Sequence, residues 1–329
     1  MNRVRMSDRR GMALLSVLLL VAVMSVVAVA VLDDVRFSVR RTANAETQAQ
    51  AQWYAAGAEA LGRRQIARLI SLGPTRTPLD PDWNGRLLSF PIEEGAIRAV
   101  VRDGQACFNL NSVVEGQGED LMPRPLGSTE LIALGQAVGI PVGKMAIVAD
   151  SLTDWLDSDT NARPLGAEDG TYAGRATPYR TGGVILAEVS ELRAIRGVDP
   201  DVYRRLRTHV CALPTTRLSP INVNTLGVDQ APLLVMLSGG VLTTQAAKSV
   251  IARRPRDGWS DTSVFWAEPA LAQLALPTEV RDQVTVLTRY FDLRVDVDYA
   301  GTRAVRTALL YAAPEGGVRT VIQRWTPDE

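Results

Sequence analysis

The sequence predicts an α+β chain: one long N-terminal helix packed on a small antiparallel sheet, with a large all-α domain inserted between the two halves of that sheet. Three observations predict it. From Met12 to Ala56 there is no glycine and no proline, so nothing interrupts a helix. Asp292-Leu293-Arg294-Val295-Asp296-Val297-Asp298-Tyr299 alternates polar and apolar without a miss, the pattern of a strand with one wet and one buried face. Between two strand-like blocks, from about Ser112 to Thr285, helical patterning dominates.

The first element begins in a membrane. Met12 to Leu32 carries no charge and, at about 1.5 Å per helical residue, spans roughly 30 Å, the thickness of a bilayer core. Arg3, Arg5, Arg9 and Arg10 precede it, opposed only by Asp8, and Asp33 and Asp34 follow. That asymmetry puts the N-terminus in the cytoplasm and the bulk across the membrane. The run can be read as a plain anchor, as a signal peptide cut at Ala28-Val29-Ala30, or as a prepilin leader cut after Gly11 that leaves the helix in the mature protein. The continuation favours the third. Past the membrane the helix is rich in alanine and glutamine, turns apolar at Trp53, Ala56, Ala60, Leu61, Ile66, Leu69 and Ile70, and stops at Gly73-Pro74. Such a spine resembles that of type IV pilin-like proteins. These usually carry Glu at the fifth mature position; counted from Met12, that position is Ser16. A subunit lacking the carboxylate suits the tip of a fibre rather than its repeat, because a charge in lipid is costly unless paired.

Next, Pro74 to Gly85 is loop by composition. Leu87 to Phe90 and Ile97 to Arg102 read as strands around a Glu94-Gly95 turn. Asp103-Gly104 reads as a hairpin turn with Ala106 to Asn111 as the returning strand. Helices are expected from a Ser128 cap to Val138, from Pro141 to Trp155, Ser190 to Arg196, Pro200 to His209, Asp229 to Leu237 and Thr243 to Arg253. After Ala300-Gly301, Ala304 to Tyr311 and Val318 to Trp325 complete the meander. The expected organisation is leader 1–11, transmembrane and spine helix 12–72, first β region 73–111, α-helical insert 112–285 and second β region 286–329.

The 329 residues hold 36 basic and 36 acidic side chains, which gives no electrostatic footprint for nucleic acid. Cys107 and Cys211 are the two cysteines, and outside the cytoplasm they read as one disulfide.

The chain resembles the K-type minor pseudopilins of the bacterial type II secretion system. The residues that carry the likeness are Gly11-Met12-Ala13-Leu14-Leu15 without the Glu, Cys107-Phe108-Asn109-Leu110-Asn111, Asp154-Trp155-Leu156-Asp157-Ser158-Asp159, Gly166-Ala167-Glu168-Asp169, Val189-Ser190-Glu191-Leu192 and Ile221-Asn222-Val223-Asn224-Thr225. The resemblance implies a type IV pilin-like lobe with an α-helical insert, at the tip of a periplasmic pseudopilus held in the inner membrane by a single pass. It implies I- and J-type minor pseudopilins as partners, then the H type and the major pseudopilin. It also implies a prepilin peptidase that cuts after Gly11 and methylates Met12. The function so implied is structural, not enzymatic, in the export of folded proteins. A signal-anchored or secreted calcium-dependent binding or hydrolytic protein is the alternative.

Asp157, Asp159 and Asn161 occupy positions 1, 3 and 5 of a loop whose twelfth residue is Glu168, with the Arg163 carbonyl at position 7. That is calcium-loop spacing. Ala162 stands where an EF-hand needs glycine, so an EF-hand is not expected. The resemblance places a calcium site at Asp157, Asp159, Glu168 and Asp169, with Asp154 and Asn161 as further candidates; otherwise the stretch is a solvated acidic loop capped by Arg163 and Arg175. Asn222 to Leu242 and Ser190 to His209 resemble helix-hairpin-helix (SAM-like) units. In the Asn222 unit the hairpin Leu233 to Leu242 is apolar and uncharged, so it reads as packing rather than DNA binding. His209 is the one histidine, and a disulfide at Cys211 leaves it no nucleophile to activate.

Overall fold

Helix α1 runs unbroken from Asp8 to Leu72. The computed structural model describes residues 8–80 and 82–325; leader residues 1–7, with Arg3 and Arg5, lie outside the described residues. From Met12 to Val39 the large apolar side chains of α1 are exposed, as a lipid-facing helix requires. The Ser16 hydroxyl donates to the Met12 carbonyl at 2.9 Å and Ser25 to Val21 at 2.8 Å. Both are satisfied within the helix, so neither needs a neighbour in lipid. From Ala51 onward one face closes: Ala51, Ala55, Glu59, Ile66 and Leu69 are buried, at spacings that align on one side of a helix.

That face lies on a five-stranded sheet. Strands β1 (Leu87–Ile92) and β2 (Gly95–Asp103) form a hairpin around Glu93-Glu94. The chain then leaves the sheet. In the insert it makes β3 (Phe108–Asn109), β4 (Val114–Gln117), β5 (Asp120–Pro123), α2 (Pro125–Ala137), α3 (Val142–Leu156), α4 (Asp169–Ala173), α5 (Pro200–Leu206), β6 (Val210–Cys211), β7 (Ile221–Asn222), α6 (Ala231–Leu237), α7 (Thr244–Ala252), α8 (Thr262–Trp266), α9 (Thr278–Arg281) and β8 (Val284–Thr285). It returns as β9 (Tyr290–Tyr299), β10 (Thr302–Ala312) and β11 (Val318–Arg324), giving the order β1-β2-β9-β10-β11, antiparallel throughout. Phe291, Leu293, Val295 and Val297 of β9 point at α1, with Ala304, Ala308 and Leu310 of β10. Each large side chain among them contributes about 1.5–3 kcal/mol by burial. Within this apolar contact the Glu59 carboxylate accepts from Arg306 Nε at 2.5 Å and from Thr320 Oγ1 at 2.6 Å. The Arg306 guanidinium in turn lies 4.4 Å over the Trp325 ring. One acid on α1 therefore grips β10 and β11.

Two expectations fail. Asp103-Gly104 is not a hairpin turn: β2 pairs with β9, and β3 pairs in parallel with β6. Asp103 is instead buried where the chain enters the insert. It accepts from Gln105 N at 2.8 Å, Thr225 Oγ1 at 2.7 Å and Thr288 Oγ1 at 2.6 Å, and burial pushes its carboxyl up to about 6. A pull from two distant partners, Thr225 and Thr288, overrides the local turn preference of Asp-Gly. Nor does Ser128 cap α2. The helix begins at Pro125, whose fixed φ suits the first turn, and the Ser128 hydroxyl meets Thr153 Oγ1 at 3.3 Å.

The insert is built twice. Phe108-Asn109-Leu110-Asn111-Ser112-Val113 and Ile221-Asn222-Val223-Asn224-Thr225-Leu226 make the same contacts. Asn111 N donates to Asn109 Oδ1, and Asn224 N to Asn222 Oδ1. Ser112 Oγ donates to the Asn109 carbonyl, and Thr225 Oγ1 to that of Asn222. Asn111 exchanges two hydrogen bonds with the backbone of Leu186, and Asn224 does the same with Trp259. Each copy opens on a two-residue strand paired in parallel with the strand that closes it: β3 with β6, β7 with β8. Each holds a helical hairpin, α2–α3 or α6–α7. Besides the β4–β5 hairpin of the first copy, the copies differ in one long segment. From the end of α3 to Leu186 the first copy inserts residues 157–185, where the second has only 253–258.

Glu130 of α2 is buried, and its Oε1 accepts from Gln283 Nε2 while Oε2 and Gln283 Oε1 have no partner. Burial pushes its carboxyl from 4.5 up to about 7. The folded value is raised, so the stability present below pH ~4.5 is lost as pH climbs towards 7, by up to about 3 kcal/mol. Glu130→Gln removes the charge and offers Gln283 Oε1 a donor. Its gain over the natural chain should therefore grow from near zero at pH 4.5 to about 1–3 kcal/mol at pH 8 in denaturant titrations; a gain independent of pH would be inconsistent with a buried charge.

Candidate metal centre

The segment unique to the first copy carries the acidic residues. At the end of α3 the backbone turns extended at Asp157 (φ −70°, ψ 166°), which buries that side chain. Carboxylate oxygens of Asp157, Asp159 and Glu168 all lie within 4.8 Å of one another. Asp157 Oδ1 and Glu168 Oε1 are buried without a hydrogen-bond partner. Burial, then the neighbouring Asp159, Asp154 and Glu168, push the Asp157 carboxyl up to about 7. Glu168 is raised too, by burial first and then by Asp154. Three converging carboxylates with two unpartnered buried oxygens fit a hard cation with oxygen ligands, and calcium suits that donor set.

The other sequence candidates are used differently. Asp154 accepts from Arg163 N at 3.3 and 3.1 Å. Gly166 packs so close that a Cβ there would stand 1.9 Å from Asp154 Oδ2. Asp154 is thus a fastener for the loop. Asp169 stays out of the cluster: its Oδ1 accepts from Thr181 N at 2.8 Å and Thr181 Oγ1 at 2.9 Å, which hold its carboxyl below the usual range. Asn161 contributes its backbone N–H, donating to Asp159 Oδ1 at 2.7 Å. The Arg163 carbonyl accepts from Gly166 N at 3.0 Å, and its side chain pairs with Asp150 at 3.2 Å. Arg175 lies over the Tyr172 and Tyr179 rings, at 4.9 and 5.2 Å. The Arg163 charge still tempers the rise at Asp157, but its guanidinium is committed to Asp150 and that of Arg175 to the two rings. Sequence reasoning missed Asp150, which also accepts from Leu165 N at 3.1 Å; its position one helical turn before Asp154 was the available signal. It also missed Glu59, an acid that continues the four-residue spacing of Ala51 and Ala55.

Cys107 and Cys211 form a disulfide across a separation of 104 residues, beside the β3–β6 pair. His209 is half buried, with Nδ1 unpartnered and its pKa lowered by burial.

Two family models match, both described as type II secretion system (T2SS), protein K: one over residues 106–215 and one over 221–286. Their limits fall on the two copies of the insert. The type II secretion system protein K of Pectobacterium carotovorum subsp. carotovorum is 32% identical over 326 residues, covering 96% of this chain and 99% of the relative. The chain belongs to the type II secretion system protein K family. Protein K of Aeromonas hydrophila is 34% identical over 300 residues, covering 89% of this chain and 90% of that one. Among solved structures, the protein K family is met in the GspK-GspI-GspJ complex from the enterotoxigenic Escherichia coli type 2 secretion system. That chain superposes with a TM-score of 0.76 at 31% identity, over 87% of this chain and 99% of its own. In this protein K family member one described helix, at the N-terminus, is long and apolar enough to cross a membrane.

Proposed function

We propose that this protein K family member is the tip minor pseudopilin of a type II secretion system, a non-enzymatic part that caps or nucleates the periplasmic pseudopilus. The observation that carries the reading is its likeness, through both lobes, to a chain solved in complex with GspI and GspJ. The corresponding I- and J-type subunits are its direct partners, with the H type and the major pseudopilin below. Ser16 supports the tip position, because its hydroxyl is satisfied by Met12 and asks nothing of a subunit above. The prepilin peptidase cuts after Gly11 and methylates Met12; Arg9 and Arg10 keep that end cytoplasmic, and the bulk lies in the periplasm. With Cys211 in a disulfide, His209 has no thiolate to activate, in keeping with a structural role. The test is co-expression of the full chain with its I- and J-type partners. Isolation from membranes should yield a three-subunit complex in which this chain begins with methylated Met12; a chain that purifies alone, or that starts at Val31, refutes the reading.

Calcium at Asp157, Asp159 and Glu168 is the second part of the proposal. The cation neutralises the three carboxylates and staples segment 157–185, where α4 is the one α-helix. At calcium a hundredfold above Kd the full chain should gain about 2.7 kcal/mol, lost on chelation. In Asp157→Asn the melting temperature should no longer respond to calcium; an equal response in that variant would eliminate the site.

A further inference from the structure

The two features that set the first copy of the insert apart from the second are bonded to each other. After its asparagine motif the first copy makes the hairpin β4–β5, where the second has only Gly227 to Gln230 before α6. Its other addition, segment 157–185, opens on the acidic triad. Ser158, set between Asp157 and Asp159, joins the two. Its N–H donates to the Leu121 carbonyl at 3.0 Å. Its hydroxyl accepts from Leu121 N at 2.8 Å and donates to the Glu119 carbonyl. The hairpin depends on such ties, because β4 and β5 form a two-stranded sheet of their own and a lone hairpin is marginally stable in water. Arg124 secures its base, with N donating to the Val113 carbonyl at 2.8 Å and the side chain pairing with Glu115 at 3.2 Å. Thr216 Oγ1 donates to the Gly116 carbonyl at 3.1 Å. Beyond Gly116 the tip, Gln117 to Asp120, is exposed, and Ser158 reaches it through Glu119.

Ser158 cannot move apart from the carboxylates on either side of it. Oxygens of Asp157, Asp159 and Glu168 converge within 4.8 Å, and Asp157, 3% exposed, aims an unpartnered oxygen into the cluster. Left ionised without a counter-ion, the three charges repel and push the 157–159 turn open. A cation between them draws the turn closed, and the backbone of Ser158 is then held from both sides.

We propose that a cation at Asp157, Asp159 and Glu168 fixes the β4–β5 hairpin through Ser158, so that the hairpin is held when the site is loaded and loosened when it is empty. The inference rests on the calcium reading above. Linkage makes the coupling reciprocal: whatever grips the hairpin tightens the site by the same factor. The test is amide hydrogen exchange of the full chain in detergent, with calcium chloride or with chelator, read in peptides spanning 115–123. Calcium should slow exchange at Leu121 and its neighbours at least tenfold, with no such slowing in α6–α7. In Ser158→Ala the melting temperature should still rise with calcium while exchange over 115–123 no longer responds. Ser158→Thr keeps the hydroxyl and should respond like the natural chain. Equal calcium-dependent slowing in Ser158→Ala overturns the proposal, as does a Ser158→Thr chain whose hairpin ignores calcium or a Ser158→Ala chain whose melting temperature does. If calcium raises the melting temperature of the natural chain but leaves the hairpin unchanged, the coupling fails while the cation site stands; if neither responds, both fail.

Discussion

Replacing Glu59 with alanine should cost the pilin-like lobe about 3–5 kcal/mol, among the largest losses from any single change in this chain. The reason is what remains. Arg306 has 10% of its side chain exposed and loses its carboxylate, and Thr320 loses its acceptor. The ion pair itself need not be the source of stability, since desolvating two charges offsets much of their attraction. This separates two outcomes. In Glu59→Leu with Arg306→Met, the buried charges vanish together, and stability should return to within about 1 kcal/mol of the natural chain. Urea titration of the detergent-solubilised chain, followed by Trp fluorescence, reads both. A loss below ~1 kcal/mol in Glu59→Ala would show that water reaches Arg306.

Loss of the disulfide is the second large effect. Cys107→Ser opens a loop of 104 residues, and the chain-entropy relation for a loop of that size gives about 4.7 kcal/mol. Cys211→Ser removes the same constraint, so the two single variants and the double should melt together. Unequal losses would mean that packing at one sulfur, rather than loop closure, carries the effect. Intact mass without reductant checks the premise: two free thiols in the natural chain would dispose of it.

The parts of the fold readable in advance are those whose cause is local. An unbroken run without glycine or proline is enough for α1, Gly73-Pro74 is enough to stop it, and alternation is enough for β9. Asp103-Gly104 misleads because its local preference points one way and two distant hydroxyls, those of Thr225 and Thr288, point another. The acidic triad was readable for the same reason as α1: Asp157 and Asp159 are neighbours in sequence, and Glu168 closes a loop of standard size. Asp169 was not, because its partner Thr181 sits in an irregular stretch with no pattern to place it. The duplication was present in the paired motifs around Asn109 and Asn222. It becomes visible once Leu186 and Trp259 are seen to answer the same asparagine, for the long insertion in the first copy hides the common spacing.

When tension is applied along the chain, the Cys107–Cys211 bond decides which part bears it. Tension entering from β2 at Gly104 crosses directly from Cys107 to Cys211 and continues into β7. The polypeptide between the two sulfurs, with the first helical hairpin and the acidic loop, hangs outside the line of force. Roughly 350 Å of extended chain is withheld from stretching, so the loop that gathers the carboxylates keeps its shape even if the sheet beneath it is strained.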